Sequence, residues 1–151
     1  MVWGVIGSRG TIPLVFLHQT VNALNYVKTL TDNLHDAVDA LIPLSHRHDF
    51  VFQQDIAPPH RARTTKQWLD TNGITVAQWP PLSPDLNPIE LMWAELKRTV
   101  RASPPTSLMI LQSMLKETWE YVVTPTLCAR VIDGLYKRIQ TVIKQKGLHS
   151  Q

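Results

Sequence analysis

The chain has 151 residues, enough to close one hydrophobic core of ordinary size, whereas two would each be marginal. Hydrophobic residues make up 44% and charged residues 18%, which excludes the charge-rich, hydrophobe-poor composition of a disordered chain. Lys and Arg number 15 against 12 Asp and Glu, a balance of +3 that is compatible with a polyanionic partner without demanding one.

A single cysteine, Cys128, excludes an intramolecular disulfide framework and a cysteine zinc site; it reads as a small core residue in a reducing, intracellular setting. Met1 to Leu17 contains Gly4, Gly7, Arg9, Gly10 and Pro13, so it resembles neither a signal peptide nor a membrane span. The opening apolar run, Val2 to Ile6, has no leader and reads as a domain entered part-way, with an N-terminal portion lying upstream.

Val2–Ile6 and Ile12–Leu17 flank the turn-rich Gly7-Ser8-Arg9-Gly10 and predict a β-hairpin. From Asn22 to about Ile42, Leu24, Val27, Leu30, Leu34, Val38 and Leu41 recur at helical spacing, and Pro43 ends the pattern. Phe50 to Asp55 predicts a short strand with Asp55 at its C-terminal end, before Ala57-Pro58-Pro59. A helix over Ala62 to Asp70, a stop at Asn72-Gly73 and a strand over Ile74 to Ala77 follow, giving the order β, β, α, β, α, β.

Trp79 to Pro88 holds Pro80, Pro81, Pro84 and Pro88 and predicts a rigid loop. Asn87 as N-cap, Pro88 at the first and Glu90 at the third helical position then start a helix that runs to about Arg101. Two more helices are predicted, Ser107 to Val123 and Pro125 to Lys146, the second with Thr124 as N-cap.

Transfer of a nucleic-acid phosphoryl group commonly uses two Mg²⁺ or Mn²⁺ ions about 4 Å apart, held by carboxylates from different elements. Open α/β sheets gather such residues at the C-terminal ends of their strands. Asp55 at a strand end and Glu90 in a helix's first turn suit that chemistry. Each also has a plain structural reading, Asp55 as a turn former and Glu90 as half of a capping box behind Asn87. On the helix from Pro88, the residues Ile89, Met92, Trp93, Leu96 and Val100 form an apolar face, while Glu90, Lys97 and Arg101 share a flank that could reach phosphates.

Read together, Phe52-Gln53-Gln54-Asp55-Ile56-Ala57-Pro58-Pro59-His60 and the string from Trp79 through Pro84-Asp85-Leu86-Asn87-Pro88-Ile89-Glu90 to Trp93 resemble the Tc/mariner superfamily of DDE transposases. The likeness extends from Met1 to about Glu120, including Met1-Val2-Trp3-Gly4 and Pro13-Leu14-Val15-Phe16, with 34 residues between Asp55 and Glu90. It implies an α/β, ribonuclease H-like mixed sheet with flanking helices, N-terminally truncated and carrying extra C-terminal helices. The whole chain is then part of one catalytic domain, without the family's helix-turn-helix module.

The resemblance implies Asp55 and Glu90 as the second and third catalytic, metal-binding carboxylates for Mg²⁺ or Mn²⁺. The first falls upstream of Met1, since Asp32, Asp36 and Asp39 sit on a predicted helix and match no catalytic position. It further implies metal-dependent DNA cleavage and strand transfer in the intact ancestor, little activity from this chain alone, DNA as partner, a homodimer by analogy, and a nuclear or intracellular location. The alternative is a non-catalytic DNA- or protein-binding remnant. Ile56 departs from the family's polar residue after Asp55 and bears on the surroundings of the site.

His60 matches a family position near the active site; His60, Arg61, Lys97 and Arg101 are the candidate nucleic-acid contacts. His46 and His48 read as solvated loop residues rather than metal ligands, and Asp85 and Asn87 as loop and cap residues. Arg63 and Lys66 could contact phosphates or simply face solvent, and for Lys137, Arg138, Lys144 and Lys146 the solvated reading is preferred. Trp68, Trp79, Trp93 and Trp119 read as core or loop anchors rather than base-stacking platforms.

Overall fold

In the computed structural model, residues 1–78 and 83–144 are described. Trp79, Pro80 and Pro81 of the expected rigid loop, and Lys146 at the expected end of the last helix, lie outside the described residues. The chain is α/β, mostly helical, and divides into two compact units, one of residues 1–3 and 15–83, the other of residues 4–14 and 84–151.

In the first unit, β1 (Val2–Trp3) pairs antiparallel with β4 (Val15–Phe16), in the register Val2 opposite Phe16 and Trp3 opposite Val15. Helix α1 (Ala23–Leu41) starts where the Asn22 side chain accepts the Asn25 N–H at 2.9 Å. It ends at Ile42, which takes extended angles because the ring of Pro43 disfavours helical geometry in the residue before it. Its buried stripe is Tyr26, Leu30, Leu34, Ala37 and Leu41. Tyr26 thus takes the place expected for Leu24, which is 71% exposed.

Pro58 and Pro59, which precede the helix expected from Ala62, open a short helix of their own, α2 (Pro58–Arg61). A first helical turn needs no N–H from those positions, and the fixed φ of proline already suits it. Extended Ala62 separates α2 from α3 (Arg63–Thr71), and the fully buried Thr65 hydroxyl ties them by donating to the Pro59 carbonyl at 2.7 Å. After α3 the Gly73 N–H donates to the Asp70 carbonyl and the Ile74 N–H to the Leu69 carbonyl, with Gly73 at φ 67°. This is a Schellman close, completed by the buried apolar pair Leu69 and Ile74.

The strands expected over Phe50–Asp55 and Ile74–Ala77 are corrected to one parallel bridge, Phe52 beside Val76. The Phe52 N–H donates to the Thr75 carbonyl at 2.8 Å, and the Phe52 carbonyl accepts from the Ala77 N–H at 2.9 Å. Phe52, Leu69 and Ile74 join Tyr26, Leu30 and Leu34 in this unit's core, flanked by Trp3, Val38 and Trp68. Truncating Leu30 or Leu34 to Ala would cost about 2–5 kcal/mol.

In the second unit, β2 (Ile6–Gly7) pairs antiparallel with β3 (Gly10–Thr11). The single expected hairpin is therefore two short ladders, and Pro13, with no N–H to donate, lies in the segment between β3 and β4. Gly10 has φ 123°, and a Cβ there would stand 3.2 Å from the Pro125 ring, so both backbone and space call for glycine.

Helices α4 (Pro88–Ala102), α5 (Leu108–Val122) and α6 (Pro125–Lys144) follow, α4 and α6 with the caps read from sequence, while Ser107, expected as the first residue of its helix, is the cap of α5. Ser107 accepts the Ile110 N–H, and Thr124 the Leu127 N–H, each at 3.2 Å. Trp93 and Trp119 stack at 5.2 Å between ring centroids, and the Trp119 indole N–H donates to the Ile12 carbonyl at 2.8 Å. Both indoles are anchors, as expected, and Cys128 is fully buried. No helix among the described residues is long and apolar enough to cross a membrane.

Candidate functional site

Asp55 lies three residues past the bridged Phe52, with its side chain 59% exposed. Its Oδ1 accepts the Ala57 N–H at 2.9 Å and faces His60 Nδ1 at 2.5 Å. The turn-forming role is therefore real, but it occupies one oxygen; among the described residues Oδ2 makes no hydrogen bond.

His60 is held in turn. Its ring lies against the Tyr26 ring, centroids 4.1 Å apart and planes tilted by 34°. The Tyr26 hydroxyl donates to Gln54 Oε1 at 2.7 Å, and Gln54 Nε2 points at the His60 carbonyl at 3.5 Å. Burial first, and the Asp55 charge second, push the Tyr26 phenol well above its ordinary pKa, so it remains a donor at neutral pH.

Asp55, His60 and Arg61 share the wall of an open depression of about 710 Å³, together with Ile56, Lys66 and Asp70. Ile56, 37% exposed, faces this space without contributing a polar group. Arg61, Arg63 and Lys66 are exposed. Arg61 has no acidic partner among the described residues.

Glu90 stands in the second unit, half-buried at the third position of α4. Asn87 caps this helix by accepting the Ile89 N–H at 3.4 Å, while its own N–H donates to the Pro84 carbonyl at 3.0 Å. A capping box would send that N–H to the Glu90 carboxylate. The box is not formed, and among the described residues the Glu90 carboxylate has no hydrogen bond or ion pair. Lys97 and Arg101 lie within about 20° of Glu90 around the helix and are exposed. On the opposite side Met92 and Leu96 are buried, so the expected apolar face is present.

Other acidic candidates are occupied or peripheral: Asp32 pairs with Lys28 and Asp39 with Arg47, both on or beside α1. His46 is exposed and exposed His48 pairs with Asp49, matching their solvated reading. Arg138 donates to the Val131 carbonyl of its own helix at 2.9 Å. As donors, the free oxygen of Asp55 and the unpaired carboxylate of Glu90 fit a hard divalent cation. Among the described residues, however, no group of three His, Cys, Asp or Glu side chains gathers to hold one.

A family model described as DDE superfamily endonuclease matches residues 1–109. This chain belongs to that family. The DDE chain is 29% identical over 147 residues to the Tcb2 transposase of Caenorhabditis briggsae, covering 97% of itself and 52% of that protein. It is 28% identical over 148 residues to the Tc1 transposase of Caenorhabditis elegans, with the same shares. It spans about half the length of these curated relatives. The crystal structure of the Mos1 mariner paired end complex with Mn matches at a TM-score of 0.83 and 25% identity, over 99% of this chain and 44% of that one. The DDE chain is thus similar to Tc1 and mariner transposases over nearly its whole length.

Sequence reasoning missed Tyr26 and Gln54. Counting the helical stripe from Tyr26 rather than Leu24 gives Tyr26, Leu30, Leu34 at four-residue steps, which would have placed a phenol in the core. A phenol there needs a polar partner.

Proposed function

We propose that this chain forms part of the ribonuclease H-like catalytic domain of a Tc1/mariner transposase, with Asp55 and Glu90 as two of its metal-ligating, catalytic carboxylates. The observation that carries the reading is Asp55: one oxygen is fixed by Ala57 and His60 and the other is left open to a depression lined by Arg61 and Lys66. Glu90, released from capping duty, supports the reading from its own unit.

When bound, Mg²⁺ or Mn²⁺ would activate an attacking oxygen and stabilise a leaving one in DNA cleavage and strand transfer. Asp55 and Glu90 supply hard oxygen donors. His60 orients Asp55, and Arg61, Lys97 and Arg101 neutralise DNA phosphates. The similar Mos1 structure is a paired end complex with Mn, which supports divalent metal, DNA and a dimer as partners of this chain. With DNA as substrate, the protein would act in the nucleus or elsewhere inside the cell. The first of the three carboxylates that the family resemblance implies matches no position within residues 1–151.

Calorimetric titration of Mg²⁺ and Mn²⁺ into the chain, Asp55→Ala and Glu90→Ala tests this. Each variant is expected to weaken binding by at least about tenfold. If both bind as the unaltered chain does, the catalytic reading fails and a non-catalytic DNA- or protein-binding remnant takes its place.

A further inference from the structure

We propose that Tyr26 and Gln54 are positioning residues for Asp55, acting on it through His60; the role in metal binding rests on the function proposed above. Four side chains form one line of contacts within one unit. The Tyr26 hydroxyl donates to Gln54 Oε1 at 2.7 Å, the Tyr26 ring backs the His60 ring at 4.1 Å, and His60 Nδ1 meets Asp55 Oδ1.

Each link removes a freedom. Tyr26 is 3% exposed in the core of α1, so its ring is a fixed wall rather than a mobile side chain. Against that wall the His60 ring, its side chain 19% exposed, loses its rotamer freedom. The phenol, kept protonated by burial and by the Asp55 charge, fixes the Gln54 amide with its oxygen toward Tyr26. The amide nitrogen is thereby aimed at the His60 carbonyl. The histidine is thus held from its ring face and approached at its main chain, and the nitrogen it presents to Asp55 is Nδ1.

A carboxylate presented this way has one oxygen committed and one free, which restricts the direction from which a cation can be met. Outer partners of this kind orient ligands by fixing the tautomer and ring plane of the histidine they touch. Gln54 adjoins Asp55 in sequence, and its side chain connects to the Asp55 carboxylate through Tyr26 and His60. The circuit joins α1, the bridged segment and α2, so it also couples Asp55 to the core that holds α1 in place.

The test uses ring ¹⁵N NMR of His60 at about pH 8, where an ordinary imidazole is neutral, in the chain, Tyr26→Phe and Gln54→Leu. Mn²⁺ relaxation enhancement at the Asp55 amide is measured on the same samples. Tyr26→Phe keeps the ring and the core and removes only the hydroxyl. The expected result is a protonated Nδ1 in the unaltered chain and a shift toward mixed tautomers in both variants. Mn²⁺ affinity at Asp55 should fall by about tenfold in each, and by no more in the double variant, since both break one link.

His60 shifts and Mn²⁺ affinities within about twofold of the unaltered chain overturn the proposal. If Gln54→Leu does not fold, Tyr26→Phe decides. If the unaltered chain binds no Mn²⁺ at Asp55, the metal-ligand reading fails, and the metal-free ¹⁵N shifts still decide whether Tyr26 and Gln54 position the pair.

Discussion

Glu90→Gln separates a metal ligand from a helix cap. A Glu that closed a capping box would accept the Asn87 N–H, and its loss would cost on the order of 1 kcal/mol. That N–H is already donated to the Pro84 carbonyl at 3.0 Å, so what remains is the carboxylate charge at the positive end of α4. Such a charge contributes about 0.3–1 kcal/mol, and Gln removes it while keeping the shape. Glu90→Gln should therefore lower the unfolding free energy by about 0.5 kcal/mol. Asn87→Ala deletes the oxygen that accepts the Ile89 N–H; the bond is long, 3.4 Å, which places the cost near the low end of the N-cap range, about 0.5–1 kcal/mol. Urea denaturation followed by tryptophan fluorescence measures both, and Mn²⁺ titration of the same samples measures the ligand role. Near-native stability with at least about tenfold weaker Mn²⁺ binding is the expected pattern for Glu90→Gln. A larger destabilisation than Asn87→Ala, with Mn²⁺ binding intact, would refute the reasoning and make Glu90 a structural cap.

Gly4→Ala would put a Cβ 3.0 Å from atoms of both stacked indoles, Trp93 and Trp119. Trp119 is 2% exposed and tied to the Ile12 carbonyl, so the clash cannot relax cheaply; a loss of about 1–3 kcal/mol is expected in urea denaturation. The raised phenol pKa of Tyr26 means that stability is fully present below the unfolded value near 10 and is lost as pH rises above it. Alkaline titration of stability should show that fall in the chain and a smaller one in Tyr26→Phe. Lys97→Ala and Arg101→Ala should each reduce the slope of log K for DNA against log salt by about 0.9, one phosphate contact apiece. Arg138→Ala, whose guanidinium is turned to the Val131 carbonyl, should leave the slope unchanged.

The residues by themselves determined helices α1 and α3 to α6 and the identity of the candidate ligands. Asn22, Asn87, Ser107 and Thr124 cap their helices through bonds spanning two or three residues, and interactions that local are legible without a fold. The strings around Asp55 and Glu90 carried the family resemblance for the same reason: each is contiguous in the chain. The extended segments were less legible, because a strand depends on a partner that sequence does not name. Phe52 and Val76 pair at one bridge only, and the opening hairpin resolves into two ladders.

Tertiary structure alone decided what surrounds the ligands. The Tyr26 hydroxyl finds Gln54 across 28 positions, and the Trp119 indole finds the Ile12 carbonyl across 107. Periodicity identifies an apolar face without saying which polar atom in it will need a partner, and a capping pattern does not say whether another carbonyl will take the N–H first. Packing answers both, since a buried donor takes the acceptor that the folded chain brings within reach. That is why Asp55 has a histidine held against a tyrosine beside it, and why the Glu90 carboxylate has no hydrogen bond or ion pair among the described residues.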